Sequence, residues 1–324
     1  MAMSGKQLRI VFMGTPEFAV HSLRALVEGG YNVVAVVTTP DKPAGRGQKM
    51  HQSDVKVYAE SVGLRVLQPV RLKDEAFVEE FRALNADLGV VIAFRMLPEV
   101  IWSMPRLGTF NLHASLLPQY RGAAPINWAI INGDKVSGIT TFMLKHEIDT
   151  GDVIEQVKVD ITPEDNAGSL HDKLMMVGKD AVLATIEKIA EGRYTAIPQD
   201  EMTTEELRGA PKIFKEDCRI DWSKSGDEIA LLVRGLSPYP AAWSSLYTLS
   251  GEECGSMKIF EAEFVAGASG EPGTIFTDWK KELEVACADG RIAIKELQLA
   301  GKRRMATEDF LRGMRDIDCY KMSL

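Results

Sequence analysis

The chain reads as an α/β protein, a doubly wound and mostly parallel sheet followed by a small C-terminal β-barrel. Three observations carry that reading. Short apolar runs alternate with helix-spaced segments over the first two-thirds, as strands covered on both faces by crossover helices require. A polar stretch without periodicity, 194–215, holding Pro198, Gly209 and Pro211, then interrupts the pattern. Beyond it, several short strand-like runs are separated by glycine turns, which suits a small antiparallel barrel. At 324 residues the chain exceeds the size at which single cores usually stop growing, so two domains are expected: 1–193, the linker 194–215, and 216–324.

The elements follow in order. The largely apolar run Leu8 to Met13 predicts a strand buried on both faces. Gly14-Thr15-Pro16-Glu17 supplies a turn, a Thr cap and a proline for the first helical position, and Phe18, Leu23, Leu26 and Val27 continue at helical spacing until Gly29-Gly30. Val33 to Val37 is a second strand, Ala76 to Leu84 an amphipathic helix, Leu88 to Ala93 a third strand and Phe110 to Ala114 a fourth. Gly138 to Leu144 and Val153 to Ile161 alternate or carry β-branched residues, as an antiparallel edge would, and Ser169 to Glu191 predicts a long helix. After the linker, a helix near Asp227 to Arg234 precedes strands at Ala242 to Leu249, Met257 to Phe264, Gly273 to Phe276, Leu283 to Ala288 and Arg291 to Leu299.

Composition narrows the class. With 45% apolar and 26% charged residues the chain resembles an ordinary soluble globular protein, and no apolar run approaches the ~18 to 20 residues of a membrane span. The first residues lack the basic region and apolar core of a secretory signal, so a cytoplasmic location is expected. Cys218, Cys254, Cys287 and Cys319 are widely spaced without a CxxC pair, which points to reduced thiols and to no metal site. The net charge of −8 argues against a polyanion partner, because a nucleic-acid binder usually shows a basic face. Locally the balance differs: between Lys42 and Lys56, four basic residues stand against Asp54 alone, a local +3.

Two stretches carry chemistry, Asn111-Leu112-His113 and Ile148-Asp149-Thr150-Gly151-Asp152. Asn111 and His113 share one face of the fourth strand, because side chains alternate with period two. Two polar residues on one face of an apolar strand need a reason, and the carboxyl end of a strand is where ligands of an open α/β sheet bind. An amide can hold an oxyanion, an imidazole can move a proton near neutral pH, and a carboxylate such as Asp149 can orient the imidazole. His146 reads as a surface residue or one behind the site, and His21, His51 and His171 have no comparable setting. Gly14-Thr15-Pro16 has one glycine where a dinucleotide fingerprint needs three, which disfavours a nicotinamide cofactor.

Together, Phe12-Met13-Gly14-Thr15-Pro16-Glu17-Phe18, Pro40 to Gly47, Asn111 to Pro118, Tyr120 to Ile126, Asp149 to Asp152, Val233 to Trp243 and Gly301 to Met305 closely resemble the methionyl-tRNA formyltransferase family. The resemblance spans nearly the whole chain. It implies a Rossmann-like first domain, an OB-fold-like barrel, and transfer of a formyl group from 10-formyltetrahydrofolate to the methionine amino group of initiator methionyl-tRNA, without a metal. By the same resemblance Asn111, His113 and Asp149 match the catalytic positions, and Ser115, Leu116, Leu117 and Pro118 the tetrahydrofolate-binding motif. Phe94, Arg95, Met96 and Leu97 fall on the pterin-binding strand and loop, where this chain has Arg95 in place of a glycine common in the family. Arg46 matches the key basic residue of a loop inserted into the acceptor stem, with Lys42 and Lys49 beside it. Lys302, Arg303 and Arg304 in the barrel are further candidates for the tRNA backbone, as are Lys212, Lys215 and Arg219. A monomer without an obligate protein partner is expected.

The implied reaction suits the trio. As the uncharged amine adds to the formyl carbon, Asn111 and a protonated His113 can stabilise the developing oxyanion, and Asp149 favours the imidazolium. A sugar-nucleotide or glycinamide-ribonucleotide formyltransferase would share the trio without requiring the Pro40 to Gly47 loop. A formyltetrahydrofolate hydrolase would use water as acceptor, and a non-enzymatic nucleic-acid binder would have no need of the trio.

Overall fold

The run read first along the sequence becomes the strand Ile10–Gly14, buried along its whole length. Val11 and Met13 enter a core with Ala35, Val37, Phe77, Phe81 and Val91, while Ile10 and Phe12 are buried on the opposite face, which is why no polar residue alternates in. The computed structural model describes residues 4–44, 49–267, 270–314 and 316–322. These fall into two compact units, one comprising Met1–Gly122, Ser137–Asp160 and His171–Gly209, the other Ala123–Val136, Ile161–Leu170 and Ala210–Leu324.

In the first unit the strand order is Val153–Asp160, Val136–Met143, Thr109–His113, Leu88–Ile92, Ile10–Gly14, Val33–Val37 and Val66–Leu67. The five strands from Thr109–His113 to Val66–Leu67 are parallel. Val136–Met143 runs antiparallel to Thr109–His113, as its alternating sequence predicts. From Ile10–Gly14 the chain winds outward to Val66–Leu67 and then returns to pair Leu88–Ile92 on the other side. The order therefore reverses between Ile10–Gly14 and Leu88–Ile92, and ligands of such sheets bind beyond the carboxyl ends at that switch point.

Gly14 closes the first strand at that point. A Cβ there would lie 2.8 Å from Ala19 Cβ and 3.0 Å from the Ile92 carbonyl oxygen, so glycine lets the following helix begin hard against the switch point. That helix is Glu17–Glu28, and the expected Thr15 cap is not formed. The first turn closes on the Pro16 carbonyl, which accepts from Ala19 N at 2.9 Å, so Pro16 is the N-cap and Thr15 lies outside the helix with its carbonyl accepting from Val55 N.

The basic segment forms a two-stranded antiparallel pairing of Lys42–Ala44 with Lys49–His51, followed by the helix Asp54–Ser61, capped by Ser53. These are short elements whose periodicity is too brief to read. The segment 194–215 carries structure of its own: Ile197 bridges Val153 with paired backbone hydrogen bonds, and Gln199–Glu201 makes a 3₁₀ turn.

The second unit is an antiparallel sheet in the order Ile275–Thr277, Leu283–Ala286, Gly290–Leu299, Glu253–Ala266, Ala242–Thr248 and Tyr320–Met322, with Met305–Ala306 pairing off Gly290–Leu299. Its two ends meet through a Thr274–Lys321 bridge and a bond from Met322 N to the Gly273 carbonyl, which nearly closes a barrel. The helix Gly226–Leu236 begins at a Ser225/Glu228 capping box and buries Ile229, Val233 and Leu236 with Trp222, whose indole N–H donates to Ser244 Oγ at 3.0 Å. Cys218 and Cys287 are buried, Cys254 and Cys319 exposed, and all four are free thiols.

Candidate active site

Thr109–His113 lies beside Leu88–Ile92, one strand from the switch point, with Asn111 paired to Val91 and Phe142 and His113 paired to Thr140 across the sheet. Strand alternation puts Asn111 and His113 on one face. His113 is only 7% exposed, and its Nε2 lies 2.8 Å from the Tyr120 carbonyl oxygen, an acceptor that can only receive a proton. That bond fixes the hydrogen on Nε2 and leaves Nδ1 as the nitrogen free to gain or lose one. Nδ1 faces Asp149 Oδ2 at 3.9 Å, too long for a hydrogen bond, with the two side chains 8% and 12% exposed. Asn111 is half-buried, and its side chain makes no hydrogen bond to another described residue. Its amide is thus available to a ligand.

The Asp149 turn is held from several sides. Asp149 has φ 55°, a left-handed backbone conformation uncommon for a residue with a side chain, and its Oδ2 accepts from Gly122 N at 3.1 Å. Gly151 admits no Cβ, which would lie 1.6 Å from the Met143 carbonyl oxygen, so the turn packs directly on the end of Val136–Met143. Gln199, 2% exposed, donates through Nε2 to the carbonyls of Asp149 at 2.9 Å and Gly151 at 2.8 Å. Its Oε1 accepts from Arg121 Nε at 2.9 Å and Nη2 at 2.7 Å. Sequence reading missed Gln199 because it lies among polar residues without periodicity, and Arg121 because nothing local marks its partner.

The loop Ser115 to Pro118 is built around Thr140. Thr140 Oγ1 donates to the Ser115 carbonyl at 2.7 Å and accepts from Leu117 N at 3.1 Å, while Gln156 Nε2 donates to the Leu117 carbonyl at 2.6 Å. Ser115 Oγ donates to the Gln119 carbonyl at 2.7 Å, Leu117 and Pro118 are buried, and Leu116 is half-buried. Three of these four residues shape the loop from inside, and what they can offer a ligand is mainly backbone.

At the neighbouring strand end, Ala93 has φ 47°, Phe94 is half-buried, Met96 is 74% exposed and Leu97 is part of the core. Arg95 donates through Nη1 to the Val70 carbonyl at 2.9 Å and through Nη2 to that of Pro69, so its charge is spent on the 69–70 loop. Its Nε is buried without a partner, and burial holds its pKa below the usual guanidinium value. Arg95 thus sends its side chain to the neighbouring loop.

Lys42 is exposed, and Lys49 takes part in the pairing with Ala44. Arg46 lies outside the described residues. The base of this segment is clamped: Asp41 Oδ2 lies 2.6 Å from Lys56 Nζ, and Gln68 Nε2 donates to Asp41 Oδ1 at 2.7 Å and to the Thr39 carbonyl at 2.8 Å. In the second unit Lys302 and Arg303 are exposed, whereas Arg304 is paired with Glu296 and stacked 4.2 Å from the Phe260 ring centroid. His146 belongs to a separate exposed contact, 3.2 Å from Glu99 and edge-on to Trp102. Among the described residues no group of three or more His, Cys, Asp or Glu is gathered as a metal site, and no helix is long and apolar enough to cross a membrane.

Comparison with known proteins is consistent from end to end. A family model described as formyl transferase matches residues 8–186, and one described as formyl transferase, C-terminal domain, matches 212–315. The methionyl-tRNA formyltransferase of Bacteroides thetaiotaomicron is 58% identical over 323 residues, covering 99% of this chain and 100% of the relative. That of Phocaeicola vulgatus is 59% identical over 324 residues, with 99% and 100% covered. That of Flavobacterium johnsoniae is 52% identical over 310 residues, with 95% and 97% covered. Among solved structures, an N-formyltransferase from Helicobacter canadensis in complex with folinic acid and dTDP-3-aminofucose superimposes with a TM-score of 0.63 at 19% identity, over 89% of this chain and 99% of that one. HypX from Aquifex aeolicus in complex with tetrahydrofolic acid does so with a TM-score of 0.63 at 19% identity, over 96% of this chain and 47% of that one. At that identity the two likenesses speak for the fold alone.

Proposed function

The chain belongs to the methionyl-tRNA formyltransferase family, and from that premise we propose that it carries the formyl group of 10-formyltetrahydrofolate to the methionine amino group of initiator methionyl-tRNA at the Asn111, His113 and Asp149 cluster. The observation that supports this centre is the placement of His113 Nδ1 3.9 Å from Asp149 Oδ2, nearly out of water, at the carboxyl end of a strand whose same face carries the Asn111 amide, unpaired among the described residues.

The residues divide the work by their chemistry. As the amine nitrogen bonds to the formyl carbon, negative charge develops on the formyl oxygen, and Asn111 and the His113 imidazolium are the donors for it. The Asp149 carboxylate stabilises that imidazolium, while the Tyr120 carbonyl keeps the ring from turning. The carbon–nitrogen bond to the folate then breaks, the amine loses a proton and the folate nitrogen gains one. A water held by His113 or Asp149 can carry it between them. The backbone of Ser115 to Pro118, with Phe94, Arg95, Met96 and Leu97, forms the donor side of the site. Lys42, Arg46 and Lys49 form an acceptor-stem contact, and Lys302, Arg303 and Arg304 add phosphate contacts from the second unit. The same reading makes the protein a cytoplasmic monomer without an obligate protein partner.

One incubation tests the proposal. Purified protein is given labelled 10-formyltetrahydrofolate with methionyl initiator tRNA, with free methionine, or with buffer alone. Label should appear only on the charged tRNA. Release of formate at equal rates in all three would make the protein a hydrolase, and formylation of free methionine would remove the tRNA from the reaction.

A further inference from the structure

Gln199 is a buried polar side chain that the mechanism leaves unused. It is 2% exposed, and all its hydrogen-bonding groups are directed at the Asp149 turn or at Arg121. Only one amide orientation serves this arrangement: the oxygen must face the two guanidinium N–H groups and the nitrogen the two carbonyls. A glutamate would keep the arginine but set a lone pair against the carbonyls of Asp149 and Gly151. One of the carbonyls it holds is that of Asp149 itself, the residue at φ 55° whose carboxylate faces His113, and the other is two residues on, so the side chain ties down both ends of a turn in an uncommon backbone conformation.

We propose that Gln199 is a positioning residue for the Asp149 carboxylate, acting through the backbone of the Asp149–Gly151 turn, with Arg121 fixing the orientation of its amide. This rests on the formyl-transfer reading above. A displacement of about 1 Å at a reacting group can cost roughly a hundredfold in rate, and Gln199 holds its turn at two points two residues apart.

The test is a double-mutant cycle in single-turnover formyl transfer, using Gln199→Leu and Gln199→Glu, each alone and combined with Asp149→Asn, with circular dichroism to verify folding. The single Gln199 variants should lower the transfer rate about a hundredfold, with KM for the formyl donor and for methionyl-tRNA within about threefold of wild type. In the Asp149→Asn background the same substitutions should cost less than about threefold, because the group they position is already gone. A transfer rate within about threefold of wild type, a loss carried by either KM, or full losses persisting beside Asp149→Asn would each overturn the proposal. Gln199→Glu retains the Arg121 partner and decides the matter if Gln199→Leu does not fold. If wild-type protein itself transfers no formyl group, the function is at fault rather than the positioning.

Discussion

At the residue scale, the proposed reaction turns on single polar side chains and what each is bonded to. Asn111 is half-buried, and its amide makes no hydrogen bond to another described residue and is not among the buried unpaired groups, so no protein contact depends on it. Replacing it with alanine should therefore leave the fold intact while lowering kcat about 10²- to 10³-fold, roughly 2.7 to 4 kcal/mol of barrier. Rapid-quench measurement of formyl transfer checks this, and a near wild-type rate would take Asn111 out of the chemistry. Asp149→Asn should lose rate by a different route. It keeps the acceptor for Gly122 N but removes the charge opposite His113, so the protein should melt near the wild-type temperature while kcat falls. Normal kcat in that variant would mean that the carboxylate charge is not used.

At the scale of elements, the loop after Thr109–His113 is a product of its neighbour across the sheet. Thr140, wholly buried, receives the Leu117 N–H and the Gln156 amide and donates to the Ser115 carbonyl, so one hydroxyl sets the path of the loop proposed to face the formyl donor. Thr140→Val keeps the shape and strands those groups in an apolar setting, at about 1 to 3 kcal/mol for each left unsatisfied. The expected result is a lower Tm together with a raised KM for the formyl donor; an unchanged KM would show that the loop holds its path without Thr140. The basic segment makes a second case. Its base is clamped by Asp41, Lys56 and Gln68, and Arg46 lies in its sequence. Arg46→Ala should weaken tRNA binding and flatten its salt dependence by about one phosphate contact, with no effect on folate affinity. Equal salt slopes for wild type and variant would exclude the contact.

At the scale of the whole molecule, the folded state holds several carboxylates below their ordinary pKa. Asp41 is lowered by its bonds to Lys56 and then Gln68, and Asp221 by Ser223. Burial alone would raise Asp87, but the Arg9 N–H and Arg106 outweigh it. Asp278 is lowered to about 2 by the N–H groups of Glu282, Lys281 and Lys280. A carboxylate whose folded pKa lies below its unfolded value of about 3.9 binds fewer protons when folded, so its contribution is present at neutral pH and lost as pH falls through the folded value. Thermal melts should therefore show Tm falling between about pH 4 and pH 2, and a flat Tm over that window would contradict the sign.

Much of this was legible along the chain, and the boundary has a physical basis. Ile10–Gly14, Val33–Val37 and Leu88–Ile92 announced themselves because strands covered on both faces must be apolar throughout, and the barrel because its strands alternate between glycine turns. Asn111 and His113 drew notice because they share a face at the end of such a run, and Asp149 through the family resemblance of its Asp149-Thr150-Gly151-Asp152 turn. What closes over them was not. Gln199, Arg121 and Thr140 act through backbone carbonyls and amides far away in sequence, and a carbonyl carries no residue signature. The sequence by itself determined which side chains could do the chemistry and which elements would carry them. Only the tertiary structure decided which nitrogen of His113 faces Asp149 and what holds that turn in place, because both depend on hydrogen bonds to main-chain groups that every residue has in common.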